Sequence, residues 1–220
     1  MTFNIVNPYR FVSGDNGLWK ELGRTTASSG TTLNVSSLAN YEFLMTVNSF
    51  AHSADASRPT WHYNSNTTNS YTHRQTTNGG SEATEDETDE CWWSDDTSFG
   101  TGRDFMISYI WNQDNGASNY NTKLQTGWNV ASGEGSAPDV CQGTATWDTR
   151  DVGNTTVIDE INYELEGNTT SFTSGSEAIV LGYDPDEPHT DSFWEELADV
   201  KLGSADTIDT GTFTAKKYLW

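Results

Sequence analysis

Basic residues are scarce in this sequence: Lys and Arg number 11 against 32 Asp and Glu in 220 residues, a formal charge of −21. Gripping a phosphate backbone takes cations, so nucleic-acid binding is excluded, and an anionic membrane surface repels such a chain. No stretch approaches the ~18 consecutive apolar residues of a membrane-spanning helix. Met1–Arg10 has neither a basic start nor an apolar run, so no secretory signal is legible there. Cysteine is nearly missing: Cys91 and Cys141 stand alone, with no Cys or His at metal-ligand spacing. They form either two free buried thiols or a disulfide whose loop of about 50 residues contributes about 4 kcal/mol in the chain-entropy description. Helical periodicity is also scarce.

What is present is a β-protein rich in Thr, Ser, Asn and Gly. Such acidity suits salty water, where screening over a few ångströms tames self-repulsion. Short apolar runs predict strands over Thr32–Val35, Tyr41–Val47, Ser70–Gln75, Phe105–Trp111, Thr122–Trp128, Thr144–Trp147, Ile161–Leu165 and Glu177–Tyr183. Eight short strands predict an all-β, antiparallel two-sheet sandwich, jelly-roll-like in arrangement. Phe105–Trp111 and Ala178–Tyr183 are almost continuously apolar, as in strands buried on both sides or lying against a neighbouring subunit. Turns are expected at Thr77–Gly80 and Ser174–Ser176, and irregular chain at Asn64–Asn69, Ser81–Asp96 and Ser132–Val140.

The sequence also repeats itself. Trp19–Met45 lies over Trp194–Trp220 without a gap, an offset of 175 residues. Six positions are identical (Trp19/Trp194, Glu21/Glu196, Leu22/Leu197, Ser29/Ser204, Thr32/Thr207 and Leu44/Leu219), where unrelated stretches share about two. Convergence of two W-x-E-L turns, each followed by a strand, is the alternative. A true repeat of this length has a whole domain as its unit. The organisation expected is an arm at 1–18, a sandwich at 19–183, a Pro/Asp-rich linker at 184–193 and the start of a second copy at 194–220. In that second copy Trp194, Phe213, Tyr218 and Trp220 are the intermodule or docking-strand candidates. Their sandwich partners do not follow, so they should dock on a sheet if the protein is whole and be loose if it is cut short.

Candidate chemistry is thin. His52, His62, His73 and His189 occur without a G-x-S-x-G elbow or an H-x-x-x-H pair, and carboxylates are too abundant for any pair to be singled out, so no enzyme is expected. On a strand, Tyr71 and His73 should share one face and Arg74 the other, with Arg74 in a structural ion pair. Asp184, Asp186 and Asp191 could offer oxygens to Ca²⁺, as could Glu85–Glu90 with Asp95 and Asp96, but neither group has the EF-hand pattern, and charge runs are usually solvated faces. No cofactor is expected beyond that. Sequons at Asn34, Asn66, Asn154 and Asn168 arise by chance in such a composition. Among the aromatics, Trp19, Trp111, Trp128 and Trp147 are assigned to the core. Trp92-Trp93, Trp61 with Tyr63, and Tyr109 beside Trp111 raise stacking on a glycan. Trp92, Trp93, Trp61 and Tyr63 are the candidates carried forward for a glycan or a subunit, because adjacent tryptophans on a strand cannot both face inward.

Gly17–Leu22, then Ser70–Arg74 with Thr77–Gly80, then Gly175–Asp184 resemble the W-x-E-L start, Y-x-x-R strand, N-G-G turn and G-S-E-x-x-V-L-G strand of tandem modules in marine bacteriophage and marine-virus structural proteins. The joint His189–Leu197 and the ending Ala215–Trp220 are similar to their intermodule joint and next first strand. The resemblance spans nearly the whole chain but departs at Ser81–Trp93, which is acidic here and Ser/Thr-rich in the group. It implies a tail-fibre, spike or capsid-decoration part on the virion surface, made in the host cytoplasm. It further implies a homo-oligomer, trimeric by analogy, that meets other virion proteins and a host-surface glycan. The opposing reading is a secreted carbohydrate-binding or cell-surface sandwich from a salt-loving microbe.

Overall fold

A computed structural model describes residues 19–52, 58–92, 103–112, 119–129, 139–148, 157–165 and 171–184. The described residues contain no helix. Twelve strands follow in order: β1 Lys20–Gly30, β2 Thr32–Val35, β3 Phe43–Ala51, β4 Pro59–Tyr63, β5 Tyr71–Thr77, β6 Ala83–Thr88, β7 Cys91–Trp92, β8 Arg103–Trp111, β9 Asn119–Asn129, β10 Asp139–Asp148, β11 Ile161–Leu165 and β12 Phe172–Tyr183. Every neighbouring pair is antiparallel.

The pairing is nested. β1 pairs with β12, β2 with β11, β3 with β8 and β4 with β7, as if one long hairpin had been folded over. Further pairing of β12 with β3 and of β11 with β4 gathers these eight strands as β1-β12-β3-β8 and β2-β11-β4-β7. Two hairpins, β5-β6 and β9-β10, interrupt the scheme. They extend the first sheet beyond β8 in the order β9-β10-β5-β6.

Alternation explains how the sheets meet. Along β3, Leu44, Thr46, Asn48 and Phe50 are buried while the residues between them are half-buried. Leu33 and Val35 of β2, Trp61 and Tyr63 of β4, and Ile161, Tyr163 and Leu165 of β11 come from the smaller sheet, and join Leu44, Phe50, Met106, Trp147 and Val180 of the larger sheet in one core. Ring contacts cross between the sheets, from Phe50 to Tyr163 at 5.3 Å and from Tyr63 to Trp147 at 5.6 Å. Aromatic rings are prominent in this core, with Trp61, Trp147, Tyr63, Tyr71 and Tyr163 among its largest fully buried side chains. Trp147 is fully buried, as expected. Cys91 and Cys141 are free and buried, and burial pushes the Cys91 thiol well up.

Side-chain amides close the sandwich where strands end. Asn112, fully buried, donates to the carbonyls of Tyr41 and Ile158 and accepts from the Ile158 N–H at 2.6 Å. Asn64 donates to the Val157 carbonyl and accepts from the N–H groups of Asp159 and Glu160. Backbone groups that leave a ladder must find such partners. At Gly143 an added Cβ would lie 2.8 Å from the Arg74 carbonyl oxygen, so β10 and β5 can run this close only over a glycine.

Two expectations are corrected. The acidic stretch is not wholly irregular, because Ala83–Thr88 pairs with β5 through Tyr71↔Thr88, His73↔Glu85, Arg74↔Thr84 and Gln75↔Ala83. Its charges suit a sheet edge, where they discourage pairing with another chain. Ser174–Ser176 is not a turn. It lies inside β12, where Gly175 takes φ 88° and the register against β1 shifts between Ala27 and Ser29, so the strand bulges and continues.

Candidate interaction face

The aromatic residues nominated for a ligand divide sharply. Trp61 is 2% exposed and Tyr63 0%, so neither offers a face to a sugar. Pairing of β4 with β11 and β7 sets Trp61 beside Tyr163 and Cys91, on the core side, and even its indole N–H is used internally, donating to the Tyr63 hydroxyl at 3.1 Å. Trp92 is half-buried, but the Arg58 guanidinium sits 3.3 Å from its ring centroid and the His73 ring 4.7 Å away. A cation held this close occupies the ring face that a sugar would need. Trp93, Asp186, Asp191, Trp194, Phe213, Tyr218 and Trp220 lie outside the described residues. Asp184 is half-buried just beyond β12, and among the described residues no three His, Cys, Asp or Glu side chains are grouped as metal ligands would be.

Three of the four histidines lie within the described residues. His52 meets Asp104 at 2.9 Å with both side chains fully buried, tying the end of β3 to the start of β8. Burial pushes the Asp104 carboxyl up, against the pull of the His52 hydrogen bond and charge. His62 lies 4.0 Å from both Glu90 and Glu164, and burial lowers its pKa against the opposing pull of Glu164 and Asp89. Tyr71, His73 and Gln75 are buried while Thr72 and Arg74 are exposed, the alternation read from the sequence. Arg74 pairs with Glu82 at 3.1 Å in an exposed structural ion pair. His189 lies outside the described residues.

A different surface stands out, the outward side of β12, β3 and β8. Strand register sets its side chains in rows: Trp111, Phe43 and Tyr183; Tyr109, Met45 and Leu181; Ile107, Val47 and Ile179; Phe105, Ser49 and Glu177. Trp19 leans over one end, 5.8 Å from the Tyr183 ring and 6.5 Å from Tyr109, while Phe43 stacks on Tyr183 at 6.1 Å. Tyr109 is 42% exposed. Trp19 and Trp111, assigned to the core from sequence, are therefore half-buried on the outside of the larger sheet. Among the described residues a charge cluster lies at one edge of this face. At its β1 rim Arg24 bonds Glu21 at 2.8 Å and also Glu177, and the Arg24 hydrogen bond holds the Glu21 carboxyl below its ordinary value.

The same sheet contains its own control. Further along, on the same side, the outward residues of β5 and β10 are Thr72 opposite Thr146, Arg74 opposite Thr144, and Thr76 opposite Gln142. Apart from Val140 near the start of β10, that half has the polar outer face of an ordinary solvated antiparallel sheet. The β12-β3-β8 half instead carries mostly apolar residues on its outer side, with Ser49 and Glu177 in its last row. In a chain this acidic, this outer face is the candidate interaction surface. The apolar runs of β8 and β12 had pointed to two-sided burial or a neighbouring subunit; that Phe43, Met45 and Val47 of β3 complete the face follows only from register. Comparison of the chain with protein-family models, with curated proteins and with solved structures finds no match.

Proposed function

We propose that this chain is a structural module of a virus particle surface, part of a tail fibre, spike or capsid decoration, whose work is assembly rather than catalysis. The observation that carries the assembly reading is the apolar outer half of the larger sheet, set in a chain of formal charge −21. Tyr109 is exposed and most of its neighbours on this face are half-buried, while Leu181 is already covered. The apolar surface still open to water gains by being covered, at about 25 cal/mol per Å². The nested strand pairing supports a jelly roll extended by two hairpins, an architecture used in viral capsids and in lectins alike. Fold alone does not choose between these. The resemblance of the W-x-E-L, Y-x-x-R and N-G-G segments to marine-virus modules favours the virion. The burial of Trp61 and Tyr63 and the stacking of Arg58 on Trp92 remove three of the residues nominated for a glycan, and Tyr109 is the nominated ring that stays exposed. Partners on this reading are other copies of the chain and other virion proteins.

Negative-stain microscopy of the purified protein, alone and mixed with purified particles, tests the proposal. Defined oligomers or regular decoration are expected. A monomer that ignores particles and binds free oligosaccharide would move the assignment to the carbohydrate-binding class.

A further inference from the structure

We infer that the outward face of β12, β3 and β8 is occupied by the same face of a second copy of this chain. The inference rests on the assembly reading above and names the contact that reading needs.

Three observations select the occupant. The first is size. Three strands about 4.8 Å apart, each with four outward residues about 6.8 Å apart, cover about 400 Å² in projection. That matches the largest apolar patch of an ordinary monomer, ~300–600 Å², which is often functional. Side-chain flanks and Trp19 add accessible area, toward the ~800 Å² per partner of a standard interface.

The second is charge. Two chains of formal charge −21 repel one another in most orientations. The β5–β6 end presents exposed Glu82, Glu85, Asp86 and Glu87, and the smaller sheet carries Glu90 and Glu164. Three of the four rows of the β12-β3-β8 face have no carboxylate, and the fourth has Glu177. Its rim acids, Glu21 and Glu177, are both bonded to Arg24. Contact there brings two acidic copies together with the least repulsion, and salt in the medium screens what remains.

The third is self-complementarity. A two-fold contact requires one patch to match itself, each residue meeting its counterpart's neighbour across the axis. Rows of Phe, Met, Val, Ile and Tyr without a surplus of either charge meet that condition, whereas a charged patch cannot. The half-sheet that lacks these residues, over β5 and β10, is polar and serves as the internal comparison.

The experiment is sedimentation velocity on the full chain with two variants that add the same single charge in different places. Tyr109→Glu puts a carboxylate at the exposed centre of the face, and twice into any two-fold contact. Gln142→Glu puts an isosteric carboxylate on the polar half, where Gln142 is exposed. The expected result is self-association by the parent and by Gln142→Glu, with Tyr109→Glu weakened about tenfold or more, as for loss of an interface anchor. Met45→Lys repeats the test with opposite charge, and it should weaken association although it lowers net repulsion. Near-ultraviolet circular dichroism verifies that each variant is folded.

A parent that is monomeric at all salt concentrations, or a Tyr109→Glu protein that associates like its parent, overturns the inference. If that monomeric parent still decorates particles, the module reading stands and the face belongs to another virion protein. If it does neither, both readings fall.

Discussion

At the residue scale the most constrained polar group is the Asp104 carboxylate, buried against His52. Its pKa is raised by burial, so the folded state holds the proton more tightly than the unfolded state. A group of this kind contributes fully below its unfolded pKa and loses that contribution as pH rises through the folded value. Asp104→Asn removes the titration. Urea unfolding at a series of pH values should show the parent losing ground to Asp104→Asn from the ordinary carboxylate range upward, by about 1.4 kcal/mol for each unit of displacement. A parent that gains on the variant over that window would reverse the sign and reject the account. Some residue roles were legible in advance. Alternation alone placed Tyr71 and His73 on one face and Arg74 on the other, because a period of two needs no partner strand to be read, and the structure shows the first face to be the buried one. The tryptophans were not legible, since indole fills cores and interfaces equally well. Trp61 went to the core, while Trp19 and Trp111 went to the outer face, and only strand pairing distinguishes them.

At the scale of the element, strands rich in apolar residues were visible and those held by their neighbours were not. β8, β11 and the end of β12 carry their own signal. β1, with Thr25, Thr26, Ser28 and Ser29, and β6, with Glu85, Asp86 and Glu87, become strands through ladders to β12 and β5. β4 is short and contains Pro59, yet it is buried along its length because β11 and β7 flank it. Its junction with β5 depends on one hydroxyl. Tyr71 accepts from the Tyr63 N–H at 3.0 Å and donates to the Asn66 carbonyl at 2.9 Å. Burial of that hydroxyl raises its pKa, as a group held neutral in the interior should show. Tyr71→Phe keeps the ring stacked on Trp147 and leaves both backbone groups without this partner. The expected cost is about 1–3 kcal/mol in chemical unfolding. No loss of stability would mean that water or a shifted backbone replaces the hydroxyl freely.

At the scale of the whole molecule two features pull against each other. The net charge keeps copies apart, and the apolar half of the larger sheet draws them together. The charge was plain from composition. The face was not, because its rows combine three strands distant in sequence, β3, β8 and β12, and exist only once the nested pairing has formed. Salt separates the two contributions, since raising ionic strength screens repulsion between carboxylates and leaves apolar contact intact or strengthened. The most direct test is sedimentation velocity of the unmodified chain from about 0.1 M to about 1 M salt, a range over which the screening length falls from about 10 Å to about 3 Å. The account predicts defined oligomers whose share grows with salt. Oligomers that dissociate as salt rises, or a monomer throughout, would contradict it.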